Sequence, residues 1–210
     1  MQPIFEFLFG QYRDYETIDI VLELLGVFFG ILSVFFSMRN NILVFPTGII
    51  STAIFVYILL KFGLLGDMMI NGYYFIMSIY GWWVWTRKVD AGHVTPITTT
   101  TKKEHLTSIG IFFGTMAFVA LVYTFFDKWE TWVSGVDIVT TSIFFVGMWL
   151  MAKRKIENWI YWIVGDFITI PLYFYKGLTF SSLQYVIFTV LAIYGYFAWK
   201  KLLNNTPQPV

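Results

Sequence analysis

The chain has 210 residues, of which 58% are hydrophobic, 21% aromatic and 13% charged, with a formal net charge of +1. A soluble domain carries about 25% charged residues, so this apolar surface exceeds what a soluble core of this size hides, and the fold class implied is an all-α membrane protein. The near-neutral charge argues against a nucleic-acid partner, which calls for a basic face. The absence of cysteine excludes a disulfide framework, a thiolate metal site and a cysteine nucleophile.

Residues 1–16 are apolar at Ile4, Phe5, Phe7, Leu8 and Phe9 but stop at Gly10, too short to span a bilayer. They lack the basic start and small-residue cleavage site of a signal peptide, and read as a short interfacial helix. Seven stretches then approach the length of about 20 residues that a crossing requires: 17–37, 42–60, 66–86, 106–126, 135–152, 157–174 and 179–200. Residues 87–105, rich in Thr and Lys, connect the third stretch to the fourth, and the tail 201–210 ends in the polar run NNTPQPV.

The basic residues divide unevenly between the two faces. Arg39, Arg87, Lys88, Lys102, Lys103, Lys153, Arg154, Lys155, Lys200 and Lys201 fall on one; Arg13, Lys61, Lys128 and Lys176 fall on the other. Ten against four places the first face in the cytoplasm. The N-terminus is then outside and the C-terminus inside, which requires an odd number of spans.

An internal repeat organises the chain. Asp19-Ile20-Val21 recurs as Asp137-Ile138-Val139, Asn41 as Asn158, Gly63-Leu64 as Gly177-Leu178 and Ile79-Tyr80-Gly81 as Ile193-Tyr194-Gly195, and Trp85 matches Trp199. Residues 17–86 and 135–200 are therefore expected to form two three-helix bundles. Residues 87–134 supply the connection and one linker helix. Three spans reverse direction, so the extra crossing gives the second triple the orientation of the first. The plan is 3+1+3, a parallel repeat about an axis along the membrane normal.

A carboxylate near the bilayer centre costs at least about 2.5–3.5 kcal/mol and persists only where something compensates. Asp166 lies near the middle of the sixth span. Helical spacing puts Trp159, Trp162, Thr169 and Tyr173 on its face. Aromatic faces with one negative charge suit a flat organic cation through π contact and Coulomb attraction. The structural alternative is an Asp166 that is neutral, or bonded to a neighbouring helix, and only holds the bundle together.

The third span carries a similar stripe of Asn71, Tyr74, Ser78, Trp82 and Trp85. Asn71 and Tyr74 are candidate substrate contacts, as is Gln184 in the seventh span, with interhelical bonding as the plainer role. Some of Trp82, Trp83 and Trp85 belong to an interfacial belt. The first span aligns Asp19, Glu23, Gly26, Gly30, Ser33 and Ser37 on one face. Asp19 and Asp137 lie near the outer surface, where capping or pairing with a cation is expected. Pro46 and Pro171 are expected to bend the middle helix of each bundle. The histidines, His93 and His105, fall in or beside the connection, and no GxxxxGK loop occurs, so neither a buried metal site nor ATP-driven transport is supported. No cofactor and no enzymatic activity are expected.

Lys155-Ile156-Glu157-Asn158-Trp159, then Lys176-Gly177-Leu178 and Ile193-Tyr194-Gly195, with Ile79-Tyr80-Gly81-Trp82 in the first half, resemble the PnuC family of vitamin-precursor transporters over about residues 17–200. The resemblance implies the 3+1+3 plan shared with the SWEET sugar transporters. It also implies uptake of nicotinamide riboside, or in close relatives thiamine, by facilitated diffusion across a bacterial inner membrane. The product is trapped by a cytoplasmic kinase, and homo-trimers are expected. Nicotinamide riboside members tend to carry Gln in helix 3 and Asn in helix 6, where this chain has Asn71 and Asp166; Asn158 and Trp159 match the pattern directly. The expected site is thus Asp166, Trp159, Trp162, Asn71, Tyr74, Gln184 and Asn158, facing a small cationic vitamin or nucleoside. A non-translocating membrane receptor is a further alternative, and so is a sugar transporter, though a neutral sugar does not need Asp166.

Overall fold

The computed structural model describes residues 16–62, 65–90, 93–127, 129, 131–175 and 179–205. The interfacial segment, the last five residues of the tail and the Gly63-Leu64 and Gly177-Leu178 repeat pair lie outside them. Seven helices are found among the described residues: α1 (Thr17–Met38), α2 (Val44–Lys61), α3 (Leu65–Thr86), α4 (Lys102–Phe125), α5 (Thr131–Ala152), α6 (Asn158–Tyr175) and α7 (Thr179–Asn205). Each matches one expected span. By length and composition, five of them can cross a membrane. The two others are α3 and α6, whose apolar runs are interrupted by Asn71 and Asp166.

The helix ends differ from the apolar limits for identifiable reasons. Helix α4 starts at Lys102 because Thr101 and Glu104 form a reciprocal cap: the Glu104 amide donates to Thr101 Oγ1 at 3.3 Å, and the Thr101 amide donates to Glu104 Oε2 at 2.9 Å. Helix α7 continues through Lys200 and Lys201 to Asn205, so the first half of the expected tail is helical. The connection is not wholly irregular either. It holds a two-stranded ribbon, β1 (Lys88–Asp90) and β2 (His93–Val94), and Thr98 bridges to Lys155. Pro46 is the third residue of α2, where its missing N–H has no intrahelical partner to lose; no bend follows from it. Pro171 lies inside α6, where it deprives the Phe167 carbonyl of a donor.

Packing follows a closed order. Helix α1 packs on α2, α2 on α3, α3 on α5, α5 on α6, α6 on α7 and α7 back on α1, while α4 sits outside this ring, mainly against α5. At the end of the bundle that carries the basic turns, the ring is filled by Phe45, Trp85, Trp159 and Trp199, each at most 2% exposed. The contacts come in pairs. Phe45 meets Trp85 edge-on at 5.0 Å, and Trp159 meets Trp199 edge-on at 5.5 Å. Trp85 Nε1 donates to the Met151 carbonyl at the end of α5, and Trp199 Nε1 donates to the Ser37 carbonyl at the end of α1. Gly81 leaves room for the Phe45 ring; a Cβ at Gly195 would stand 2.6 Å from the Trp159 ring. Close approach is what requires glycine at both places.

The basic turns lock this layer from outside. Asn40 and Arg154 adopt φ of 52° and 57°, ending α1 and α5 in the left-handed conformation. The Arg154 guanidinium lies 4.2 Å from the centroid of a Trp85 ring, and donates to the Thr95 carbonyl and, at 2.9 Å, to Asn40 Oδ1. Burial pulls its pKa down to about 10, which still leaves it charged at neutral pH. At the opposite end Lys61 bonds both oxygens of buried Asp19 at 2.9 Å, the expected pairing with a cation.

Candidate functional site

Above the aromatic layer the ring encloses a cavity of about 660 Å³, a usual size for a small-molecule site. All six ring helices line it, and the end of α4 contributes Val122, Tyr123 and Phe126. Asp166, Trp159, Trp162, Asn71, Tyr74 and Gln184 are brought together in its wall. Asn158 is not. It is the first residue of α6, fully buried, and its Nδ2 donates to the Lys155 carbonyl at 2.6 Å, shaping the turn below the cavity.

Asp166 is 2% exposed. Among the described residues its carboxylate has no hydrogen bond and no ion pair. Among the described residues, the lining includes two acids, Asp166 and Asp137, and no Lys, Arg or His. Asp137, expected near the outer surface, lines the cavity as well. An acid buried without a fixed counter-charge is costly, and the open space beside it is where a mobile cation fits. Among the described residues, no group of three or more His, Cys, Asp or Glu is placed to hold a metal.

The aromatic wall differs in detail from the expected one. Trp162 stacks on Phe144 at 5.5 Å, Phe144 on Tyr185 at 6.1 Å, and Tyr185 on Tyr173 at 5.2 Å. This column crosses from α6 through α5 to α7 and back. Gly165 makes room for Phe144, since a Cβ there would collide with its ring. Phe144 and Tyr185 were not singled out from the sequence. With 23 Phe, 13 Tyr and 9 Trp in the chain, their identity carries no contrast. Trp159 has a different role from the stacking expected of it. Its ring is committed to Trp199 and Gly195, and its Nε1 is buried without a partner. Thr169 Oγ1, also in the wall, is likewise unpartnered.

On α3 the expected stripe divides. Asn71, Tyr74 and Ser78 line the cavity, and Trp85 lies in the sealing layer. Trp82 and Trp83 are 41% and 57% exposed, as belt residues are. On α1 the face of Gly26, Gly30, Ser33 and Ser37 lines the cavity.

A family model described as nicotinamide mononucleotide transporter matches residues 20–201. The riboflavin/roseoflavin transporter RibM of Streptomyces davaonensis is 29% identical over 139 residues, 64% of this chain and 63% of that protein. The nicotinamide riboside transporter PnuC of Neisseria mucosa is 28% identical, covering 84% of this chain and 70% of its own length. That of Escherichia coli is 22% identical, with 85% and 84% covered. The crystal structure of the vitamin B3 transporter PnuC superposes with a TM-score of 0.67 at 24% identity, covering 98% of this chain and 89% of that one. At that identity the likeness speaks for the fold.

Proposed function

The chain belongs to the nicotinamide mononucleotide transporter family, and from that premise we propose that it takes up nicotinamide riboside by facilitated diffusion. One observation carries the reading: Asp166 lies in an aromatic-walled cavity of ligand size, with no counter-charge among the described residues. The pyridinium ring supplies the charge and the flat face that this wall lacks. Among the described residues a phosphorylated substrate would set its anion against two carboxylates and no base, so the unphosphorylated nucleoside is the better match. Thiamine, also a flat cation, meets the same requirement and is the second substrate to test.

In the transport cycle, helices α1–α3 and α5–α7 act as two like-oriented bundles joined by α4. Support comes from the reciprocal bonds of Trp85 and Trp199 and from the paired contacts of Phe45 with Gly81 and Trp159 with Gly195. The basic turns face the cytoplasm, so the aromatic layer closes the inner exit while substrate enters from outside. Rocking of one bundle against the other parts the layer and releases the substrate to a cytoplasmic kinase, which traps it by phosphorylation. Trimers in the bacterial inner membrane are the expected assembly. Release calls for modest affinity, about −8.2 kcal/mol for a micromolar site.

Purified protein in liposomes should pass labelled nicotinamide riboside down its gradient without ATP, sodium or a proton gradient. Excess unlabelled thiamine tests the second substrate by competition. Binding without flux would make the protein a receptor, and flux only under an imposed ion gradient would overturn facilitated diffusion.

A further inference from the structure

The cavity has a second wall, formed by α1 and α2, on which three hydroxyls have their protons already committed. Ser33 Oγ donates to the Val44 carbonyl at 2.7 Å, Ser51 Oγ to the Gly26 carbonyl at 2.8 Å, and Thr52 Oγ1 to the Gly48 carbonyl at 2.8 Å. A hydroxyl has one proton and two lone pairs. With the proton directed to backbone, each of these oxygens can only accept. Ser51 Oγ sits against Gly30 and Ser33 Oγ against Gly48, and Ser33, Ser51 and Thr52 are all lining residues of the cavity.

We infer that the Ser33, Ser51 and Thr52 wall is a second subsite, which accepts hydrogen bonds from a hydroxyl- or amine-bearing arm of the cationic substrate. The site therefore reads two features, a flat cation beside Asp166 and a donor-rich arm on α1–α2. The inference deepens the reading above and rests on it.

Calorimetry on the purified full chain tests it with two probes: nicotinamide riboside, and 1-methylnicotinamide, which keeps the ring cation and lacks the arm. The wild-type protein should bind the riboside at least about tenfold more tightly. Thr52→Val keeps the side-chain shape and removes an oxygen whose only hydrogen bonds run to its own helix. It should weaken the riboside about three- to tenfold, the range for one hydrogen bond, and leave 1-methylnicotinamide within about twofold. Ser51→Ala should show the same selective loss. Equal wild-type affinity for the two probes, or equal losses for both in Thr52→Val and Ser51→Ala, would overturn the arm subsite while leaving cation recognition standing. Failure of nicotinamide riboside to bind the wild-type protein would overturn both readings.

Discussion

The sealed end of the bundle and the cavity above it are built from similar residues used in opposite ways. In the sealing layer, indole N–H groups reach across the ring to helix-end carbonyls, and large rings fill the space left by Gly81 and Gly195. In the cavity, the Ser33 and Ser51 hydroxyls bond backbone carbonyls across the seam between α1 and α2, and the Asp166 carboxylate, without a partner among the described residues, lines the open space. The first arrangement serves stability and the second withholds it. A buried polar group without a partner costs about 1–3 kcal/mol.

Substitutions in the two regions should therefore separate. Trp199→Ala removes a fully buried ring and the bond to Ser37. The expected loss is about 3–5 kcal/mol, seen as a large fall in Tm in detergent. Gly195→Ala forces a methyl against the Trp159 ring and should cost about 1–3 kcal/mol. Gly72→Ala, with nothing within 4 Å of its Cβ position, should show no such loss and serves as the internal control. Thr169→Val should act in the reverse sense. Removing an unpartnered buried hydroxyl raises stability by up to about 1 kcal/mol while weakening ligand binding by calorimetry. A Thr169→Val protein that is less stable and binds unchanged would erase the distinction between the regions.

Much of this was legible from the amino acids because lipid imposes simple rules. Seven apolar runs were enough to set out the helices. The polar residues Asp166, Asn71 and Gln184 stood out because hydrocarbon excludes such groups without a reason. Other features had no such contrast. Phe144 and Tyr185 are two aromatics among many, and only the ring of helices turns them into a column. Arg154 reads as one more basic residue in a cytoplasmic turn, yet folding buries it over Trp85. Asn158 and Trp159 are neighbours in one motif, but helical geometry sends the first into a turn and the second to the cavity floor. The end of α4 depends on the cap formed by Thr101 and Glu104, polar residues outside the apolar run.

The central claim is that Asp166 recognises positive charge. Its most direct test is the affinity of nicotinamide riboside relative to its uncharged dihydro form, which has nearly the same shape, measured for the wild-type protein and for Asp166→Asn. The account predicts that the wild-type protein prefers the cation by at least about tenfold, or about 1.4 kcal/mol, and that the preference disappears in Asp166→Asn. Equal affinity for the two forms in the wild-type protein, or a preference that survives in the variant, would contradict it.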